Sequence, residues 1–378
     1  MSTNLTLASS QWNSRPVDER YWSPVDALGR AISARNAAIE TSVNYSDIRV
    51  IENGGEVGIV GKQGFPFKLT NYSFGQLCQR ASAPSGFMET LPSKMAVEVL
   101  NHKLDRSGVG QLLLDKNEGS VRALTGNAYT RVWNDSLLRM CDSLVQRGWK
   151  VPPGRARFND SRTRPATEND ILKGSQHNSL AVRVGDSIAP SGVYASDRDM
   201  FCFLVNDGEY YDNPVDPNTP MQRGFMLWNS EVGDKALGMM TFLYDAVCGN
   251  HIVWGAVDVR TFRARHVGNV NRKAEYNFDS VVNHRIDRNL LTDQLSHVQS
   301  VLIGADKETV ISKAATATKL PKGTIEAAYD IADGSTRYGD PRTPWGISQG
   351  LTELSQKKDY TSQRVAIDSA AGILLDGF

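Results

Sequence analysis

MFCFLVNDGEYY (200–211), GFMLWNSEVG (224–233) and KALGMMTFLYDAVCGNHIVWG (235–255) follow one another in the middle of the chain. They form its richest apolar part, and their aromatic and β-branched content belongs to strands more than to helices. They predict central strands, a buried segment and the core of the protein.

Upstream, DIRVIE, Asn53-Gly54-Gly55 and EVGIV read as strand, turn and strand, because adjacent glycines tolerate the positive φ of a tight hairpin. VGQLLLDK and SVRALTG across Asn117-Glu118-Gly119 repeat the pattern. Ser23 and Pro24 are the N-cap and first residue of a helix carrying Val25, Leu28, Ile32 and Ile39. Helices are expected over Phe74–Ala81 and Ser93–Leu104, and after Asn134, read as a cap. Beyond Val270 the chain turns helical. VNRKAEYNFDSVVNHRIDRNLLTDQLSHVQSVLI is one long periodic stretch, with shorter helices near Lys307–Thr318 and Thr324–Ala332 and another after Pro344. The fold class is α+β, with antiparallel sheets built from hairpin-helix units and a mainly helical C-terminal third. A polar arm (1–22) precedes a hairpin and helix subdomain (23–146), a loop-rich connection (147–195), a core sheet region (196–269) and a helical region (270–378).

Lysine plus arginine equals aspartate plus glutamate, 42 each in 378 residues, so no global field draws the protein toward nucleic acid or an anionic membrane. Any such binding must come from a local patch. The N-terminus lacks the basic start and apolar run of a signal peptide. No apolar run approaches the roughly 20 residues of a membrane helix. A cytoplasmic homo-oligomer with no membrane partner is expected.

Several stretches resemble catalytic motifs and fail on spacing. Gly346-Ile347-Ser348-Gln349-Gly350 matches a nucleophile elbow, but the last histidine, His297, precedes Ser348. Gly54 to Lys62 is rich in glycine but fits neither the dinucleotide fingerprint nor the P-loop, where Gln63 stands in place of a magnesium-binding hydroxyl. Cys248 and His251 have a metal-like spacing but too few neighbours for zinc. Asp197, Asp199, Asp207, Glu209, Asp212 and Asp216 are dense enough for Mg²⁺ if they converge, yet they read as turns, Asp207-Gly208 being a hairpin turn on its face. No catalytic residue, metal or cofactor is assigned.

Two basic stretches are the better lead. Arg147, Lys150, Arg155, Arg157, Arg162 and Arg164 lie in the connection, and Arg260, Arg263, Arg265, Arg272 and Lys273 follow the core strands, with His266 among them. Each stretch far outnumbers its local acids. An extended VDVRTFRARHV would put Arg263 and Arg265 on one face, and such a face can track phosphates. Trp149, Phe158, Phe262 and Tyr276 are placed to stack unpaired bases. Against this, charged faces are commonly solvated or paired with nearby acids.

NSEVGDKALGMMTFLYDAVCGNHIVWG, VRTFRARHVGN and TPWGISQGLTEL, in this order, resemble the phage- and plasmid-like proteins known as domain of unknown function 932. The matching features are Val247-Cys248-Gly249-Asn250, Arg265-His266, and Trp345-Gly346 with Glu353, and the likeness covers Phe201 to Leu354. It implies a mobile-element setting in replication, recombination or host takeover, and carries over no catalytic residues. The hairpin-helix units and long later helix also loosely resemble phage single-strand annealing proteins, a fold analogy alone. The reading is a non-catalytic DNA-associated protein of a phage or plasmid that binds or anneals single-stranded DNA. Its rivals are an oligomeric structural or host-protein-binding protein and, third, a metal-dependent phosphodiesterase using the acidic loop with His251 or His266.

Cys78, Cys141, Cys202 and Cys248 lie far apart in apolar surroundings, which suits reduced buried thiols better than a disulfide framework. Native mass spectrometry is expected to find four free thiols and no zinc. A bound zinc ion, or a mass two hydrogens light per bridge, would contradict this.

Overall fold

The structure, a computed structural model, describes residues 16–62, 64–156, 160–173, 182–211, 221–245, 252–254, 260–285, 287–336, 338–356 and 361–378. Its centre is the antiparallel trio Met200–Tyr211, Met221–Asn229 and Leu237–Asp245. Val193–Ala195 and Arg20–Tyr21 extend it on one side; Ile252–Trp254 and Thr261–Ala264 both pair with Leu237–Asp245 on the other. Strand alternation separates the side chains into two clusters. Met200, Cys202, Leu204, Phe225, Leu227, Leu237 and Met239 face one way, under the helices Pro24–Ala37, Asn134–Val145 and Val270–Val282. Phe201, Phe203, Met226, Trp228, Met240 and Phe242 form the other cluster, also buried. Burial on both sides explains why these strands are apolar almost without interruption.

The hairpins belong to a second sheet, in the order Ala38–Asn44, Val109–Asp115, Ser120–Gly126, Pro66–Leu69, Glu56–Val60, Arg49–Asn53. One neighbouring pair, Pro66–Leu69 with Ser120–Gly126, is parallel. Gly54 and Gly55 both adopt positive φ, 65° and 87°, the conformation that a two-residue hairpin turn requires. Asn71–Arg80, Ser85–Met88 and Ser93–Lys103 cover this sheet through Leu77, Met88, Ala96 and Leu100.

Lys307–Thr318, Lys322–Asp333, Pro344–Gln356 and Thr361–Gly377 pack around their own core. Arg288–Ser300 joins that core to the central sheet: its Leu291, Leu295 and Val298 cluster with Tyr211, Met221 and Leu243 of the strands and with Trp345 and Leu375 of the bundle. Among the described residues no helix is long and apolar enough to cross a membrane.

The α+β class, the hairpins, the central strands and the Ser23 cap, which accepts from the Asp26 amide at 3.1 Å, agree with expectation. Several boundaries do not: the first helix ends at Ala37, so Ile39 lies in the strand Ala38–Asn44 and not on the helix. The long stretch after Val270 is two helices, because Asp287 caps a new one by accepting from the Asn289 and Leu290 amides at 2.8 and 3.2 Å. The connection 147–195 holds short strands, including Gly154–Arg155, Arg164–Pro165 and Ser187–Ala189, which form a small sheet of their own. Asp207-Gly208 is no turn: the strand runs on to Tyr211, and the ladder merely skips between Val205 and Tyr210 as a bulge. Asn134 is the first helical residue rather than the cap, which is Trp133.

Gly350 lies where Pro344–Gln356 crosses Lys322–Asp333, and a methyl group there would strike the Ala328 carbonyl oxygen. Gly75, inside Asn71–Arg80, has open space. Gly350→Ala should therefore destabilise the protein by about 1–3 kcal/mol, while Gly75→Ala should stabilise it by about 0.5–1 kcal/mol. Urea unfolding checks both signs.

Candidate nucleic-acid interface

The two basic stretches differ in what their charges do. In the first, Lys150 pairs with Asp207 at 2.8 Å and donates to the Ile171 carbonyl at 2.9 Å. Arg155 pairs with Asp186 at 3.5 Å, and Arg162 pairs with Asp26 at 3.2 Å while donating to the Arg20 carbonyl at 2.8 Å. Arg164 grips Asp170 with two bonds of 2.6 and 2.7 Å, which hold that carboxyl down at about 2. Arg147 bonds the Ser143 carbonyl of its own helix end. Arg157 and Phe158 lie outside the described residues, and Trp149 is buried against Phe225. Lys150 and Arg162 thus fasten the connection to the rest of the protein, while Arg155 and Arg164 pair within it. Asp26 and Asp207 lie outside the connection, so no count of its own acids includes them, whereas Asp170 and Asp186 lie within it.

The acidic residues are the other halves of such pairs. Asp199 pairs with Lys235 at 3.0 Å, and Glu209 with Arg223 and Arg285 at 3.2 and 3.4 Å. Asp197 is exposed, while Asp212, Asp216, Cys248 and His251 lie outside the described residues. No group of three His, Cys, Asp or Glu that could hold a metal occurs among the described residues. Gly54 to Lys62 spans the hairpin turn and the strand Glu56–Val60, so its glycines serve the hairpin. Ser348 is buried inside a helix and donates to the Pro344 carbonyl at 2.6 Å, so it is not presented as a nucleophile. Glu353 of that helix accepts from the Tyr338 hydroxyl at 2.7 Å.

The second stretch is built differently. Among the described residues, Thr261–Ala264 pairs only with the first half of Leu237–Asp245. Phe262 and Ala264 pack against the core, which takes Phe262 out of the stacking set, while Thr261, Arg263 and, just past the strand, Arg265 are exposed. Arg263 lies opposite Gly238, whose missing side chain leaves room for the Trp228 ring. Arg260 is exposed and donates to His284 at 3.3 Å. After a turn at Gly268, φ 59°, the helix Val270–Val282 buries Val270, Ala274, Phe278, Val281 and Val282. Its Arg272 and Lys273 are exposed, and Tyr276 is 82% exposed. Spacings of four and three residues put Tyr276 beside both cations. Arg263, Arg265, Arg272 and Lys273 have no ion-pair partner among the described residues.

His266 does not belong to this face. Its ring stacks on Tyr129, with centroids 4.9 Å apart, and its Nδ1 lies 3.3 Å from the Thr130 carbonyl. A carbonyl oxygen only accepts, so Nδ1 is the donor to Thr130, and burial holds the ring's pKa below the usual 6.5. Close by is a polar junction that the reading of single motifs missed. Glu231 accepts from Arg122 and from the Asn134 amide, both at 2.9 Å. Arg131 donates to the Glu231 carbonyl, and its Nε lies 3.3 Å from Glu40. Asn229 bridges Val132 and Asn134 at 2.8 and 2.7 Å, and the Tyr129 hydroxyl donates to the Ser230 carbonyl at 2.8 Å. The one signal for it in the sequence is Asn229-Ser230-Glu231 directly after the apolar run Phe225–Trp228.

The depressed His266 pKa makes stability depend on pH with a definite sign. The unfolded imidazole takes up a proton more readily than the folded one, so this contribution is complete above about 6.5 and is lost as pH falls toward the folded value. The urea midpoint should fall between about pH 7.5 and about pH 5.5, and His266→Gln should flatten that fall. An unchanged slope in the variant would place the titration elsewhere.

No family model, no curated protein and no solved structure matches this chain.

Proposed function

We propose that the protein is a non-catalytic nucleic-acid-binding protein that holds a single DNA strand along the face formed by Arg260, Arg263, Arg265, Arg272 and Lys273, with Tyr276 stacking a base. The observation that carries this reading is the contrast between the two basic stretches. Four of the six cations of the first, Lys150, Arg155, Arg162 and Arg164, are in ion pairs, while Arg263, Arg265, Arg272 and Lys273 of the second are exposed without an acidic partner among the described residues. Holding like charges together without a counter-charge is unfavourable, and a phosphate backbone supplies one while releasing its own counterions. An exposed tyrosine beside two cations is the further component of single-strand sites, where stacking contributes about 1–3 kcal/mol per base. The resemblance to phage- and plasmid-like proteins supports a setting in replication or recombination of a mobile element, within the host cytoplasm.

Titration with single-stranded DNA, duplex DNA and RNA at two salt concentrations tests the reading. Single-stranded DNA should bind best, and Arg263→Glu with Arg265→Glu should lower the salt slope by about 0.7 per lost contact. Lys313→Glu with Lys322→Glu, an equal charge change on the late helices, should leave binding nearly unchanged. Tyr276→Ala should weaken single-strand binding more than duplex binding. Equal losses from the two reversals, or no binding by the parent protein, would sink the proposal and favour the oligomeric interaction protein.

A further inference from the structure

Ala38–Asn44 is the terminal strand of the six-stranded sheet, and its outer edge has no partner among the described residues. Its inner ladder has one constant register, Ala38↔Asp115 through Asn44↔Val109. The Ala37 carbonyl accepts from Lys116 at 2.9 Å and the Tyr45 amide donates to Gly108 at 3.2 Å, so both ends follow the same phase. Hydrogen-bonded and non-bonded pairs alternate in an antiparallel ladder. Ala37, Ile39, Thr41, Val43 and Tyr45 therefore bond inward, and Ala38, Glu40, Ser42 and Asn44 turn their N–H and C=O groups outward. Among the described residues, the Ser42 carbonyl accepts only a long bond from the Thr41 hydroxyl, 3.4 Å.

Natural edges are usually blunted by charged side chains, lysine above all, by proline, by a bulge or by shortness, and the one charge on this edge is Glu40. AIETSVN has no lysine, proline or glycine, and its register shows no shift. Ile39 is 46% exposed, and Glu40, Thr41, Ser42 and Asn44 are exposed as well. Ile39, Thr41 and Val43 alternate with Glu40, Ser42 and Asn44, the pattern of a strand with one covered face.

We propose that this edge pairs with the same edge of a second copy, antiparallel about a two-fold axis at Thr41. The strand is complementary to itself in that register. Ala38 meets Asn44 of the second copy and Glu40 meets Ser42, so outward groups meet outward groups and each pair exchanges two hydrogen bonds. Ile39 then faces Val43 and Thr41 faces Thr41 at the closer, non-bonded positions, where β-branched pairs contribute most. Moving the axis by one residue, to Glu40, would oppose two glutamates. Offsetting the pairing by a single residue would set outward groups against inward ones. Glu40 is also drawn toward Arg131 of its own chain, 3.3 Å away, which reduces the charge brought to the contact. The contact is isologous and closes as a dimer.

Ser42→Pro removes an outward N–H and no bond of the chain's own ladder, and proline is tolerated on such an edge. Thr41→Lys brings two exposed cations together at the axis. Sedimentation equilibrium should find a concentration-dependent dimer for the parent protein and monomers for both variants, with circular dichroism and thermal unfolding little changed. If Ser42→Pro does not fold, Thr41→Lys alone decides. Non-bonded antiparallel pairs bring Cα atoms to about 4.5 Å, within disulfide range. Thr41→Cys should therefore form a cross-linked dimer with oxidised glutathione, and Ile39→Cys, which faces Val43, should not. A monomeric parent protein, a dimer indifferent to both variants, or equal cross-linking at the two positions would overturn the proposal.

Discussion

Glu231 is 2% exposed and stands where the two sheets meet. One carboxylate oxygen takes a hydrogen bond from Arg122 of the hairpin sheet, and the other takes one from the amide that opens the helix Asn134–Val145. An anion at a helix N-terminus is favoured by the dipole and by the orphan amides there. Removing one partner of a buried ion pair leaves the other charge uncompensated, at a cost of about 3–5 kcal/mol. The hairpin sheet, the helix over the central sheet and the segment ending Met221–Asn229 are thus held to one another through a single side chain. Arg131 adds to the junction through the Glu231 carbonyl and spans toward Glu40, within the strand Ala38–Asn44.

That junction also positions the basic face. Thr130 and His266 exchange bonds at the point where the chain leaves Thr261–Ala264: the Thr130 amide donates to the His266 carbonyl at 2.8 Å, and Tyr129 pairs with Val267. The Arg265-His266 step therefore has two unlike halves. The arginine is exposed, while the histidine is part of the packing that fixes where the arginine stands. A formal net charge of zero conceals a segregation of charge. Acids, among them the buried Asp207, pair with four cations of the connection, and the strand and helix after the core keep theirs exposed.

The local elements are written in the residues themselves. The glycine pair at 54–55, the Ser23-Pro24 helix start and the apolar runs from Met200 onward are each legible because backbone conformation and burial there depend on residues adjacent in the chain. The candidate strand VRTFRARHV is legible for the same reason, since alternation alone separates Arg263 from Phe262. Which basic residues find acidic partners is decided partly in three dimensions, because Asp26 and Asp207 reach Arg162 and Lys150 from remote positions. Folding likewise sends His266 and Trp149 into the interior, cuts the long helical stretch at Asp287, and leaves the strand Ala38–Asn44 at an edge. Ion pairing, burial and strand order depend on which distant segments meet, and no local pattern of residue types encodes that.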